Sequence, residues 1–485
     1  MNVEDSTVLQ EVVQPRAATA SPPGIWSGTH RSLTIGLVLT VSGAAFEALA
    51  VATTLPATIR DLGGLALYGW AFSAFMLANL IGITVAGAEA DSQGPARPFI
   101  AGIATFVLGL IVVGLAPSMA IVILGRAVQG FGAGVISSVA YIGIGRGYPE
   151  EAKPRMLAVL SSAWVVPGLI GPALAGLISD IAGWRWVFLG LVPFLVIGAS
   201  LTLPSLRQLS GGHAAPRDWS TYVAALRLSV GAGLALAGLG QSAQPILALA
   251  GLGQSAQPIL ALALIIAGAA LGLPALLRLL PPGTLRAAPG LPAAIAAHGL
   301  LNLAFFGVDA FVPLALISIR GQIASVAGIA LTTATVGWTT GAWVQAHLAA
   351  RQSRRGLEIT GLALIALGIV GVAATLALDV PALLAALAWG VAGLGMGLAF
   401  STNSLVVLEA AQPGQEGTAA AALQLANVLG VAVGAGIGGV IIGNASATVS
   451  LSSIIIQDIA MIGVLGLTAL AASRLPNHSP REQRC

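Results

Sequence analysis

The 485 residues are 56% hydrophobic and only 8% charged, whereas a soluble domain carries about a quarter charged residues. So few ionic groups exclude a water-soluble globular protein. Apolar runs of about 20 residues recur along almost the whole chain, and runs of that length in a bilayer are helices, because lipid offers the backbone no hydrogen bonds. The single cysteine, Cys485, excludes an internal disulfide, and the formal charge of +3 has meaning only through where the basic residues fall.

Residues 1–28 carry Glu4, Asp5, Glu11 and Arg16 among several prolines and lack the basic start and short apolar core of a cleaved signal. A disordered cytoplasmic tail is expected over 1–32. Spans at 33–55, 68–88, 98–116, 119–143, 156–178 and 186–204 would build an N-terminal six-helix bundle over 33–204. The segment 205–221 has the glycine, proline and charge mix of a hinge, and it opens a linker region, 205–292, that holds two extra central spans, 222–240 and 259–279. A C-terminal six-helix bundle over 293–474 follows, with spans at 293–317, 325–347, 357–378, 381–408, 418–443 and 450–473, and a second cytoplasmic tail at 475–485. The expected fold class is an all-α polytopic membrane protein of about 14 spans.

The basic residues orient this plan. With the N-terminus inside, most of the 21 basic residues, among them Arg97, Arg146, Lys153, Arg155, Arg207, Arg354 and Arg355, lie on the inner side, and only Arg60, Arg185 and Arg320 lie outside. The bias puts both termini in the cytoplasm. Within the central pair, LALAGLGQSAQPI at 234–246 recurs at 247–259. A helical copy would add about 20 Å and overshoot the hydrocarbon, so turns are expected at Gln241 to Pro245 and at Gln254 to Pro258, with the insert outside the membrane.

Of the 18 acidic residues, Glu47 and Asp309 are the only two expected deep inside spans, each about eight residues from its helix's outer end. Burial makes a carboxyl able to take up and release protons near neutral pH. The alternative for Glu47 is a structural carboxyl bonded to a neighbouring helix, and for Asp309 support of the junction at Phe311-Val312-Pro313. Arg126, in span 4, costs at least ~2.5 kcal/mol unless paired or hydrated. It either snorkels to the surface or turns inward to Glu47, Gln129 or a carbonyl. In span 5, Pro167, Gly168, Gly171 and Pro172 predict a bent helix packed closely on its neighbours. Asn302, Phe306, Trp338, Asn403, Gln424 and Asn427 are polar or aromatic residues out of place in lipid, and together they outline an apolar pocket with few polar anchors.

The order of these motifs resembles the drug:proton antiporter branch of the major facilitator superfamily in its 14-span form. FEALAVATTLPATIRDLG (46–63) is similar to the family's LDxTIVNVALPxIxxDLG signature, with Glu47 where the family has aspartate and Leu49 and Ala52 in place of Thr and Asn. ILGRAVQGFGAG resembles lxxxRxxQGxGaa, which implies proton-relay roles for Arg126 and Gln129, followed by Gly130. WVVPGLIGPALAGLI (164–178) is similar to the antiporter motif GxxxGPxxGG through Gly168, Gly171, Pro172 and Gly176, with Ala175 replacing one glycine. GAEADSQGPAR (87–97) resembles GxLADRxGRR, keeping Asp91 and Arg97 of a conformational latch and placing Ser92 and Pro95 at two other positions. The resemblance covers roughly 33–474 and implies the major facilitator fold.

Lys153 is the only lysine, so no P-loop and no Schiff-base lysine within a span exist, and five scattered histidines with one cysteine fit no metal site. Ser42 and His298 lack any hydrolase motif. The expected function is proton-coupled efflux of small lipophilic or amphipathic compounds such as drugs by alternating access, not an enzyme, with neither cofactor nor metal. Export of a dedicated lipid, siderophore or metabolite is one alternative, and a non-transporting sensor or assembly factor on a carrier scaffold is another. The partners are the substrate, protons and the lipid bilayer of the plasma membrane, with no nucleic acid, and the chain is expected to act as a monomer.

Overall fold

The computed structural model describes residues 25–149, 151–209, 219–249, 258–349, 351–378, 380–412, 416–445 and 449–475. The expected tails therefore fall largely outside the described residues, as do 210–218 of the hinge and 250–257 of the repeat. With no water to bond to, each apolar run closes its backbone on itself, giving in chain order α1 (Gly28–Leu62), α2 (Tyr68–Gln93), α3 (Ala96–Gly114), α4 (Met119–Gly147), α5 (Lys153–Ala182), α6 (Trp184–Leu189), α7 (Leu191–Gln208) and α8 (Trp219–Leu249). There follow α9 (Pro258–Leu279), α10 (Leu291–Asp309), α11 (Val312–Arg320), α12 (Ala324–Leu348), α13 (Arg354–Ala377), α14 (Leu383–Ala410), α15 (Glu416–Ala445) and α16 (Leu451–Ala472).

Among the described residues, 13 segments are long and apolar enough to cross a membrane; α6 with α7 makes one of them, Trp184–Gln208, and α10 with α11 another, Leu291–Arg320. The chain is an all-helical, multi-pass membrane protein. At the place of the expected span 325–347 stands α12, a full 25-residue helix that is more polar than the 13. Its threonines account for the difference, and four of their hydroxyls are met internally: Thr335, Thr339 and Thr340 donate to carbonyls one turn back, and Thr333 reaches Ala386 on α14, while the buried Thr332 hydroxyl has no partner.

Three boundaries differ from expectation for identifiable reasons. Helix α1 runs through Pro56 to Leu62 instead of stopping at 55, because a proline removes one helix bond and bends a long helix without having to end it. Likewise α8 continues through 241–245, where a turn was expected, to Leu249. Its 31 residues make about 46 Å at 1.5 Å per residue, longer than a hydrocarbon core of about 30 Å. The start of α9 at Pro258 falls where a turn was expected, and a proline at a helix start loses no bond. Finally, α2 extends to Gln93, so most of 87–97 is the last turns of a helix that ends at Gly94, whose φ of 81° only glycine adopts freely.

The first seven helices pack chiefly through α2 on α4, α3 on α4 and α1 on α5 and α7, and α10 to α16 pack through α12 and α13 on α14 and α10 on α15 and α16. Two seams join these sets, α5 against α12 and α2 against α15, and the α8–α9 pair leans on the second seam.

Candidate functional site

Glu47 lies in mid-α1, about 22 Å from the helix end at 1.5 Å per residue, deeper than expected because α1 is longer. It is 2% exposed, as is Arg126 of α4, and the two form an ion pair. Arg126 turns inward and uses all three partners considered for it: Nη1 donates to Glu47 Oε1 and to Gln129 Oε1 at 3.0 Å, and Nε donates to the Ala71 carbonyl of α2 at 3.0 Å. Its guanidinium also sits 4.2 Å from the centre of the Phe75 ring. One charge thus ties α1, α2 and α4 together. Gly130 makes the approach of α2 to α4 attainable, since a Cβ there would strike the Phe75 carbonyl. Glu47 Oε2 and Gln129 Nε2 are buried with no hydrogen-bond partner.

Asp309 is the last residue of α10, at the break before α11, where Pro313 occupies the first helical turn. Its Oδ1 accepts a bond from Trp389 Nε1 of α14 at 2.8 Å. From Trp389 an aromatic chain runs onward: Phe305 stacks on it at 5.1 Å, Trp338 meets Phe305 edge-on at 5.8 Å, and Phe400 lies 5.2 Å from Trp338. Phe306 contacts both Phe305 and Trp338, and His298 packs on Phe400 at 4.5 Å. Next to Asp309, the Ala310 carbonyl accepts from Tyr68 Oη of α2 at 2.8 Å.

Of the six proposed cavity residues, Phe306 and Trp338 come together in this cluster. Asn302 is buried on the same helix as Phe306, with Nδ2 bonded to the His298 carbonyl and Oδ1 unpartnered. Asn403 does not join them, since its Nδ2 donates to Glu358 Oε1 of α13 at 2.9 Å. Gln424 is exposed and Asn427 half-buried on α15. Phe305, Phe400 and Trp389 carry no mark in the sequence, because an aromatic in a lipid span reads equally as lipid-facing, and His298 was weighed only as a hydrolase base.

The span 5 motif forms the α5–α12 seam. Pro167 and Pro172 lie within α5. A Cβ on Gly168 would meet Thr335, one on Gly176 would lie 2.6 Å from the Ala324 carbonyl, and Gly328 faces the Pro172 carbonyl. Gly171 faces the Phe46 ring of α1 across an ordinary contact distance of 3.4 Å. At the end of this seam Asp180 accepts from the backbone N–H groups of Ala324 and Ser325, at 3.2 and 3.0 Å. Arg97, on the first turn of α3, donates to Gln93 at 2.6 Å, and Arg146 of α4 reaches the Ala90 carbonyl at the end of α2. The Asp91 side chain lies outside the described residues.

Two buried carboxyls correct the expectation that Glu47 and Asp309 are the only deep ones. Glu358, in the second turn of α13, is fully buried, and Asp458, in the second turn of α16, is 5% exposed. Glu358 stands next to the start of its span in sequence, whereas Asp458 lies eight residues into 450–473, as far from an end as Glu47; α14 packs over the first and α10 over the second. The signal was present in SIIIQDIAM, where the pair Gln457-Asp458 interrupts an apolar run.

A multi-pass helical protein with a buried arginine–carboxylate tie in one set of helices and an aromatic cluster in the other has the layout of a membrane transporter. The profile of the Major Facilitator Superfamily matches residues 35–342, and the chain belongs to that superfamily of secondary transporters. It is 28% identical over 441 residues to a protein of Mycobacterium tuberculosis (strain ATCC 25618 / H37Rv) named as a probable multidrug-efflux transporter, covering 88% of this chain and 91% of that one. Multidrug resistance protein 3 of Bacillus subtilis (strain 168) is 30% identical over 159 residues, 33% of this chain and 31% of that one. Among solved structures, a bacterial homologue of the human lysosomal transporter Spinster, inward-facing and unoccupied, superposes with a TM-score of 0.66 at 14% identity over 92% of this chain and 98% of that one. A POT family transporter in complex with 5-aminolevulinic acid gives a TM-score of 0.67 at 13% identity over 93% and 98%. These likenesses establish the fold.

Proposed function

We propose that this transporter is a proton-coupled exporter of small lipophilic or amphipathic compounds in the plasma membrane, with both termini cytoplasmic. The observation that carries the reading is the buried Glu47–Arg126 pair, in which Glu47 Oε2 has no donor. That oxygen is a place for a proton. Protonation cancels the charge of Glu47 and leaves Arg126 to Gln129 and the Ala71 carbonyl, so the tie between α1 and α4 weakens while α4 stays fastened to α2. A bonded tie that depends on one proton is what couples a helix movement to a gradient.

The half-buried Phe306, Trp338 and Phe400, backed by the buried Phe305, supply the apolar, stacking surface that a flat lipophilic molecule needs. The M. tuberculosis relative's name supports the same direction of transport. Contacts across the α5–α12 seam gather toward the end where α5 finishes, between Gly168–Asp180 and Ala324–Thr335. At the opposite end Trp164 of α5 and Trp343 of α12 are 46% and 66% exposed.

The test is transport by the purified chain in lipid vesicles. An imposed pH gradient drives a fluorescent lipophilic cation across the membrane, and Glu47→Gln retains binding of the cation but loses the response to the gradient. Coupling that survives Glu47→Gln removes Glu47 from the mechanism, and no gradient-driven movement of any lipophilic cation removes the exporter reading.

A further inference from the structure

Glu358 and Asn403 face each other across the α13–α14 seam, and neither has a part in the Glu47–Arg126 tie. Both side chains are 0% exposed. One hydrogen bond joins them, from Asn403 Nδ2 to Glu358 Oε1 at 2.9 Å. The remaining oxygens, Glu358 Oε2 and Asn403 Oδ1, are both buried and both lack a donor. An ionised carboxylate is acceptor-only, so an ionised Glu358 leaves two orphaned acceptors at one buried contact together with an uncompensated charge. Turning the Asn403 amide over does not help, because its oxygen would then stand where the nitrogen is, 2.9 Å from Glu358 Oε1, acceptor against acceptor.

One proton resolves all of this. On Oε2 it converts an acceptor into a donor, gives Asn403 Oδ1 its missing partner and removes the charge. We propose that Glu358 is a proton-binding site of this transporter, held as the neutral acid and closed with Asn403 into a two-bond acid–amide ring that ties α13 to α14.

Among the described residues, no cation competes for that role. Arg354, one turn before Glu358 on α13, is taken by Glu409 of α14 and the Ala349 carbonyl. Arg355 is on the same helix, and the other charged or titratable groups on helices packed against α13 are His298 and Asp309 of α10, Arg320 of α11 and Asp458 of α16. Among the described residues, none of them bonds to Glu358, whose one side-chain partner is Asn403. The inference concerns a bound proton and is independent of the substrate.

Infrared spectroscopy of the full chain in lipid vesicles at neutral pH tests it. The spectrum of the parent minus that of Glu358→Gln is expected to show the C=O stretch of a protonated carboxylic acid, shifting to lower frequency in D2O. A difference in the carboxylate stretches instead means that Glu358 is ionised and overturns the proposal. Glutamine reproduces both bonds of the ring, so Glu358→Gln is expected to fold with an unchanged Tm, and a variant that fails to fold also overturns it. In Asn403→Leu the acid band is expected to remain and move to higher frequency as its hydrogen bond is lost, and an unmoved band removes Asn403 from the site.

Discussion

Asp180, near the end of α5, accepts the backbone N–H of Ser325 at 3.0 Å. With the neighbouring bond from Ala324, its carboxylate serves as the N-terminal cap of α12, a helix of the other set, so one side chain satisfies donors that a helix start leaves orphaned and complements its dipole. The bond exists only while α5 and α12 are closed at this end. Loss of a capping side chain costs about 1 kcal/mol, roughly a fivefold shift in a two-state equilibrium. Asp180→Ala is therefore expected to populate the form open at this end. Spin labels on Ile181→Cys and Ile323→Cys, in a Cys485→Ser background, read the change as a longer distance component.

Gly176 predicts a stronger version of the same shift. A side chain there meets the Ala324 carbonyl at 2.6 Å, and backbone atoms on a rigid helix cannot give way as a flexible side chain would. Gly176→Val is expected to wedge the seam apart with both helix sets intact. The labelled pair then shows the long distance as its main component, and transport is lost while the chain remains folded by circular dichroism.

How much of this was legible in the sequence follows from what a single helix knows about itself. Apolar length marks the spans, and even α12 was found, because a run of threonines still reads as a helix when their hydroxyls bond to its own carbonyls. The intrinsic cost of a buried arginine marked Arg126 as needing a partner, but the rotation of α1 against α4 that selects Glu47 is a property of packing and left three partners open. Asn403 was read as a pocket residue because nothing in its own span shows that Glu358, 45 positions earlier, would be carried to it. Prolines misled at Pro56 and at 241–245, where helix continuity outweighed one missing bond.

Trp338 and Trp389 separate binding from support. Trp338 touches Phe305, Phe306 and Phe400, and aromatic contacts contribute about 0.5–1.5 kcal/mol each beyond their area. Trp338→Ala is expected to weaken binding of a flat lipophilic cation about tenfold, read by equilibrium binding to the purified chain. Trp389→Phe keeps the stack on Phe305 but removes the donor to Asp309. It is expected to leave that affinity within about twofold and to destabilise the protein by about 1–3 kcal/mol, the cost of an acceptor left unsatisfied, seen as a lowered Tm.

The ion pair between Glu47 and Arg126 makes an order of stabilities that a mere contact would not. Removing one member of a buried pair costs about 3–5 kcal/mol because the other charge is stranded, whereas replacing both with uncharged groups is often close to neutral. Arg126→Leu is expected to unfold at a lower temperature than the double variant Glu47→Gln/Arg126→Leu, although the double variant carries one more substitution. Lysine does not restore the single variant, since one ammonium cannot reproduce the fork that holds Glu47, Gln129 and the Ala71 carbonyl together. A stranded charge is relieved when Glu47 takes a proton, so the gap between single and double variants should shrink as the pH of the unfolding experiment is lowered. A large gap that persists undiminished to low pH would mean that Glu47 does not take up a proton in the folded chain, and the coupling assigned to it would go with that result.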